Sequence, residues 1–175
     1  NPDYVVMSMG GSDSGKFINA LVAQHALPKK LILGTSASVA GSFLNSYETV
    51  AAEKIRFGSS VLLPLGEDNA CGELLAGSTF ANDPIAIIGC ASAQAITTAM
   101  EQTVPLTREN LMATIEGWTE EDAAPGVFAP LTFSADDHLG LATLYIVQPN
   151  ERKFVAIAAC PYGDDKAIDE PCSAL

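Results

Sequence analysis

Apolar and polar positions along the chain alternate between two periods. Residues 3 to 9, "DYVVMSM", form a short, largely apolar run that stops at glycines, as parallel strands buried on both faces do. Residues 14 to 26 switch to a helical period, with Phe17, Ile18, Leu21 and Val22 on one face and Pro28 closing the segment. "KKLILG" supplies a second strand ending at Gly34. Strand, helix and strand make one β-α-β unit with a right-handed crossover and a parallel pair. "TSASVAGSF" is small and hydroxyl-rich, as a loop or helix start beside a pocket is. A helix is expected over 39–52, and "IRFGSSVLLPL" reads as a third strand running out through Pro64.

The middle of the chain has another character. Residues 66 to 83 are rich in Gly, Asn, Asp and Ser and predict no element. Asp83 and Pro84 are a cap and first turn for a helix over "PIAIIGCASAQAITTAM". Thr107 caps a further helix, with Leu111, Met112 and Ile115 toward the core and Gly117 at its end. Residues 119 to 124 read as a solvated acidic loop. "VFAPLTFS" is extended, and "LATLYIVQ" and "KFVAIAA" flank "PNER", a turn by composition. The chain thus closes on a β-hairpin added to an α/β protein.

Composition narrows the class. A chain of 175 residues with 48% hydrophobic and 17% charged residues is folded and long enough for one good core or two small lobes. A formal net charge of −12 argues against nucleic acid and anionic membranes as partners. No apolar run reaches the roughly 20 residues of a membrane span. A start at Asn1 with no signal-like segment reads as a mature product or a fragment.

The stretch "GGSDSGK" has to be tested against catalytic patterns. Gly10, Gly15 and Lys16 match a phosphate-binding loop, but Phe17 stands where a magnesium-ligating hydroxyl belongs. Ser14 lacks the G-x-S-x-G setting of a hydrolase, and neither His25 nor His138 sits in a recognisable pattern. The chain therefore reads as a binding protein and not an enzyme, and no cofactor is called for. The alternative for this stretch is a tight turn with no ligand. Asp136, Asp137 and His138 read as a turn rather than a metal cluster, and Glu120, Glu121 and Asp122 lack calcium-loop spacing. Trp118 plugs a helix end into the core or stacks on a solute. No metal site is expected, because Cys71, Cys90, Cys160 and Cys172 form no close C-x-x-C pair. Cys160 and Cys172 bracket a polar tail with little else to hold it, so a disulfide is expected there in an oxidising compartment, two free thiols being the alternative. Cys90 lies in an apolar stretch and is readable as a small buried residue.

The order of pieces carries a family likeness. "PLTRENLMATIEGW" followed by "APLTFSADDHLGLATLYIVQPNERKFV" resembles the C-terminal end of type I periplasmic solute-binding proteins, the branched-chain amino-acid-binding family of ABC importers. Pro130, Leu131, Thr132, Phe133, Ser134, Asp137, His138 and Gly140 stand in that family's order, and "NPDYVV", glycine turn, helix and "LILGTS" resemble its second-lobe β-α-β. The resemblance spans roughly residues 1 to 158. It implies an α/β fold of Rossmann-like three-layer lobes, present here incompletely as the second lobe plus helices of the first, with the C-terminal hairpin. The implied division is 1–62 in the second lobe, 63–126 as the helical part of the first, 127–160 as second-lobe strands and 161–175 as a polar tail. Ligand would lie between the lobes, against Gly10, Gly11, Ser12, Thr35 and Ser36. Closure would hinge on Leu63, Pro64, Phe128 and Pro130.

Two departures shape what the resemblance implies. The family chain is about twice this length, and its first half, with most of the first lobe, has no counterpart here. The implied partners are a small-molecule solute, an ABC permease, and a companion chain carrying the missing N-terminal half or further copies of this chain. Gly10 and Ser36 also stand where amino-acid-binding members carry an aromatic residue and an acid. A buried ammonium without that acid is costly, so a neutral or anionic solute fits better than an α-amino acid. The implied function is the periplasmic or extracellular solute receptor of an ABC importer, secreted or lipid-anchored in full-length form. The alternative is an accessory or structural subunit using the same scaffold for protein–protein contact.

Overall fold

The structure, a computed structural model, describes residues 1–63, 69–81, 83–163 and 171–175. Its elements in chain order are β1 (Tyr4–Met7), α1 (Gly11–Ala23), β2 (Leu31–Gly34), α2 (Gly41–Leu44), β3 (Ile55–Ser59), α3 (Ala70–Leu75), α4 (Pro84–Gln102) and α5 (Arg108–Glu116). The chain ends with β4 (Leu131–Thr132), β5 (Gly140–Leu141), β6 (Thr143–Asn150), β7 (Lys153–Pro161) and β8 (Ser173–Ala174). Among the described residues, one sheet takes the order β1-β2-β3-β6-β7-β8, and β4 and β5 form a separate pair. β1, β2 and β3 are parallel, with Met7 opposite Gly34 and Gly34 opposite Phe57. The β6–β7 hairpin joins antiparallel to β3, Phe57 facing Val147. The expected α/β fold with an added hairpin is the one observed.

Period-2 alternation decides which strand residues are buried. Met7, Ile32, Ile55, Phe57, Tyr145, Val147 and Phe154 point to one face and form its core with Ile18 of α1 and Phe43 of α2. Phe43 is the centre of an aromatic cluster, stacked 4.8 Å from Tyr47 and edge-on to Phe57 at 5.0 Å. Such pairs add about 0.5–1.5 kcal/mol each beyond the area they bury. The Tyr47 hydroxyl donates to Glu151 O at 3.0 Å, so the buried phenol is satisfied. Burial raises its pKa, and the nearby Arg152 charge offsets this in part.

Several expectations need correction. The helix over 39–52 does not form: α2 stops at Leu44, and a 3-10 segment follows at Thr49–Lys54. Asn19 is the reason, because its amide donates to Ser46 O at 2.6 Å and accepts from Glu48 N at 2.7 Å, holding the chain out of the helix. The stretch after residue 66 does hold an element, α3, capped by Asn69 Oδ1 on the amides of Cys71 and Gly72. α1 begins at Gly11, three residues before the expected start at 14, so Ser12 and Asp13 lie in its first turn. The third strand ends at Ser59, well short of Pro64. The hairpin turn is confined to Glu151 and Arg152, since β6 runs through Asn150. Met112 faces solvent instead of the core, and no residue of α5 is fully buried. The 119–124 loop is less solvated than its charges suggest: Ala123 and Ala124 are buried, and Glu121 pairs with Leu131 through both backbone bonds at 2.8 Å.

The caps of the long helices match their sequence signals. Asp83 accepts from Ile85 N at 3.0 Å at the start of α4, and Thr107 accepts from Asn110 N at 3.2 Å at the start of α5. Trp118 closes the α5 end as a buried plug, its Nε1 donating to Gln102 Oε1 at 2.8 Å. Cys160 is bonded to Cys172, as expected, tying β8 to the sheet. Cys71 is bonded to Cys90, which fastens α3 to α4.

Candidate functional site

The site begins where β1 and β2 end side by side. Met7 and Gly34 are register partners, so the segments that follow leave the sheet at the same edge. Residues 8–10 connect β1 to α1, and Thr35 leads into the 3-10 turn Ser36–Ser38. α/β folds bind ligands at such carboxyl ends.

Buried hydroxyls join the two segments. Ser14 Oγ and Ser38 Oγ lie 2.9 Å apart, and both approach Met9 O, at 3.3 and 3.0 Å. Two hydroxyls carry two hydrogens, which satisfies two of these three contacts at once. The shortest pair of donations runs from Ser38 to Met9 O and from Ser14 to Ser38 Oγ. This junction consumes the Ser14 hydroxyl in holding the fold. His25 lies eleven residues further along and past the end of α1, about 16 Å away at helical rise, so it is no base for Ser14. Lys16 pairs with Asp13 at 3.2 Å on the exposed helix face. His138 pairs with Glu116 at 3.1 Å beside the β4–β5 pair.

The five residues expected to hold ligand separate into two roles. Gly10, Ser12, Thr35 and Ser36 are exposed along one rim. Gly11 is buried behind them, where a Cβ would stand 2.6 Å from Ser42 Oγ and 2.9 Å from Ala40 Cβ. Its missing side chain lets α1 and α2 meet. Around Gly10 a Cβ would meet nothing within 4 Å, so the rim is open there. The first amides of α1 have no intrahelical acceptors, an arrangement suited to a carboxylate, carbonyl or hydroxyl oxygen.

The segments expected to cross between the lobes lie against each other. Leu62 N donates to Val127 O at 2.9 Å, and Leu63 O accepts from Ala156 N at 2.7 Å. Phe128 packs against both apolar cores, the one under the sheet and the smaller one around Ala99, Trp118 and Leu131. Pro130 is exposed beside it. Pro64 lies outside the described residues. Sequence reasoning missed Ser38 and Asn19, whose partners are 24 and 27 residues away and leave no local signal, and Asn69, whose side chain caps α3 and also reaches Pro125 O, 56 residues away.

No protein-family model matches the chain, and no curated protein sequence does. Solved structures do. One is a branched-chain amino acid ABC transporter protein from Thermus thermophilus with bound valine, at 18% identity and a TM-score of 0.68, covering 93% of this chain and 46% of that one. Another is a substrate-binding periplasmic protein from Ralstonia solanacearum, at 14% identity and a TM-score of 0.70, covering 88% and 45%. A third is the substrate-binding protein LivJ from Streptococcus pneumoniae in complex with isoleucine, at 20% identity and a TM-score of 0.61, covering 90% and 43%. The chain spans less than half the length of these proteins. No helix among the described residues is long and apolar enough to cross a membrane. Nine-tenths of this chain therefore folds as one part of a type I periplasmic binding protein, the fold shared by substrate-binding proteins of branched-chain amino acid ABC transporters.

Proposed function

We propose that the chain is part of an extracytoplasmic solute receptor that serves an ABC permease and catalyses nothing. The observation that carries this reading is the Ser14–Ser38–Met9 junction, which fixes the two strand-end segments as one rim and leaves Ser12, Thr35 and Ser36 free to bond a solute. The solute is small, polar, and neutral or anionic, because Gly10, Thr35 and Ser36 offer no carboxylate to an ammonium. Leu63, Pro64, Phe128 and Pro130 form the hinge, with Phe128 shared between the two cores as the pivot.

Thermal melting against a panel of carboxylates, amides, urea and amino acids tests this reading. A ligand at 100 times its Kd adds about 2.7 kcal/mol, or roughly 5–10 °C in Tm for a chain of this size. Ser36→Ala should weaken that shift without lowering the ligand-free Tm. A panel that leaves the melt unmoved ends the solute reading. The second reading, an accessory subunit that binds protein, draws on the bare apolar face of α4, and a stoichiometric partner with no solute-induced shift would favour it.

A further inference from the structure

The outer face of the sheet carries a groove that takes in two of the rim residues. Phe57 points into the core, so its neighbours Arg56 and Gly58 point to the opposite face. Arg56 is the register partner of Leu33, and Gly58 that of Ile146. With Leu144 they floor an open groove of about 780 Å³ that reaches Thr35 and Ser36 at its upper end. Gly58 keeps the floor low, since a Cβ there would stand 3.3 Å from Leu144 Cδ2. A cleft with a mostly apolar lining and a few polar groups at defined places is the common form of a small-molecule site.

The two ends of the groove differ in chemistry. Arg56 is half-buried, and among the described residues no carboxylate pairs with it. Its Nη1 donates to Glu53 O at 3.0 Å and to Ile55 O at 2.7 Å, which pins the guanidinium. Among the described residues Nε and Nη2 have no acceptor. Burial works against the charge and lowers the pKa of Arg56 from its ordinary value; an anion on the open edge would offset this. At the other end stands Tyr162, whose amide donates to Ala142 O at 2.9 Å. It follows Cys160, and the bond to Cys172 anchors this part of the chain. Tyr162 lies past the stretch whose sequence resembles the family, roughly residues 1 to 158, so this wall is an addition of the chain's own.

We infer that the groove seats an amphipathic carboxylate with a second polar group at its far end. The acid group bonds Arg56, the apolar body lies over Leu33, Gly58 and Ile146 beside the Tyr162 ring, and a hydroxyl or carbonyl reaches Thr35 and Ser36. Three features select this class. A cation would meet the unpaired Arg56 charge. A wholly polar solute would leave Leu33, Leu144 and Ile146 in water. Thr35 stands two residues beyond Leu33, the partner of Arg56, so the two ends are about 7 Å apart at strand rise before side-chain reach is counted. That is the span of one aromatic ring with a short acid arm. The inference rests on the solute reading, because Thr35 and Ser36 belong to both rim and groove. It adds Arg56 and Tyr162, which that reading does not use.

Titration calorimetry on the full-length protein tests it with para-hydroxyphenylacetate, its uncharged amide, and acetate. The aryl acid should bind. The amide, which lacks the charge, and acetate, which lacks the body, should each bind about tenfold more weakly or worse. Arg56→Gln should weaken the acid about tenfold and leave the affinity for the amide unchanged, a split that a purely structural Arg56 would not give. Tyr162→Ala should weaken acid and amide alike, by roughly three- to tenfold. If Arg56→Gln fails to accumulate, the acid–amide difference and Tyr162→Ala decide the matter. Equal affinity for acid and amide, or acid binding that neither variant changes, overturns the inference. If the acid does not bind but another solute shifts the melt through Ser36, the groove is overturned and the receptor reading stands. If no solute of any kind binds, both fall.

Discussion

The inner face of the sheet and the outer face of α4 are both rich in apolar residues, and they have opposite fates. Under the sheet, Phe43, Phe57, Phe154 and Ile32 are sealed by α1 and α2, all supplied by the same 175 residues. On α4, Ile85, Ile96 and Met100 stand in solvent. An apolar run states that a surface wants cover and does not state where the cover comes from. The first region is a finished interior, and the second is an apolar face that the described residues leave open.

The largest expected effect breaks this contrast directly. Phe57→Ala removes the edge-on partner of Phe43 and should destabilise the chain by about 3–5 kcal/mol, read as a drop in the urea midpoint. Ile96→Ala in the same assay should change stability by no more than about 0.5 kcal/mol, as at open surface sites. A comparable cost for Ile96→Ala would mean that the 175 residues cover this helix themselves.

The next effect concerns how the helical region holds together. Replacing Cys71 and Cys90 together with Ser opens a loop with a sequence separation of 19 and should cost about 3 kcal/mol. α3 should then lose hydrogen-exchange protection before the sheet does. Uniform loss of protection would show that the two regions are one cooperative unit.

The smallest effect sharpens the comparison at the rim itself. Gly11→Ala should cost about 1–3 kcal/mol through contact with Ser42 and Ala40, and Gly10→Ala about 0.5 kcal/mol or less. Paired melts of the two variants decide whether adjacent glycines have the separate roles assigned here. Equal melts would return both to a simple turn.

Much of this was legible because its causes are local. The strand at Tyr4–Met7, the Asp83 and Thr107 caps, the Gly117 stop and the hairpin each depend on residues within a few positions. The Cys160–Cys172 bridge was legible because a polar tail has few other anchors. α3 was within reach, since Asn69 with Glu73 following is a helix-start signature, but the glycines and polar residues around it concealed the signal.

The sequence by itself determined the parallel β-α-β unit, the long helices, the closing hairpin and the hydroxyl-rich strand ends, because propensity, capping and hydrophobic period act over one or two turns. Tertiary structure decided that Asn19 stops the helix over 39–52, that Ser14 and Ser38 lock the two rim segments, and that Gly11 is packing where Gly10 is open. It also decided which apolar face of α4 is inside. Those outcomes depend on partners 24 or more residues away, whose approach is set by how the layers stack and not by any pattern along the chain.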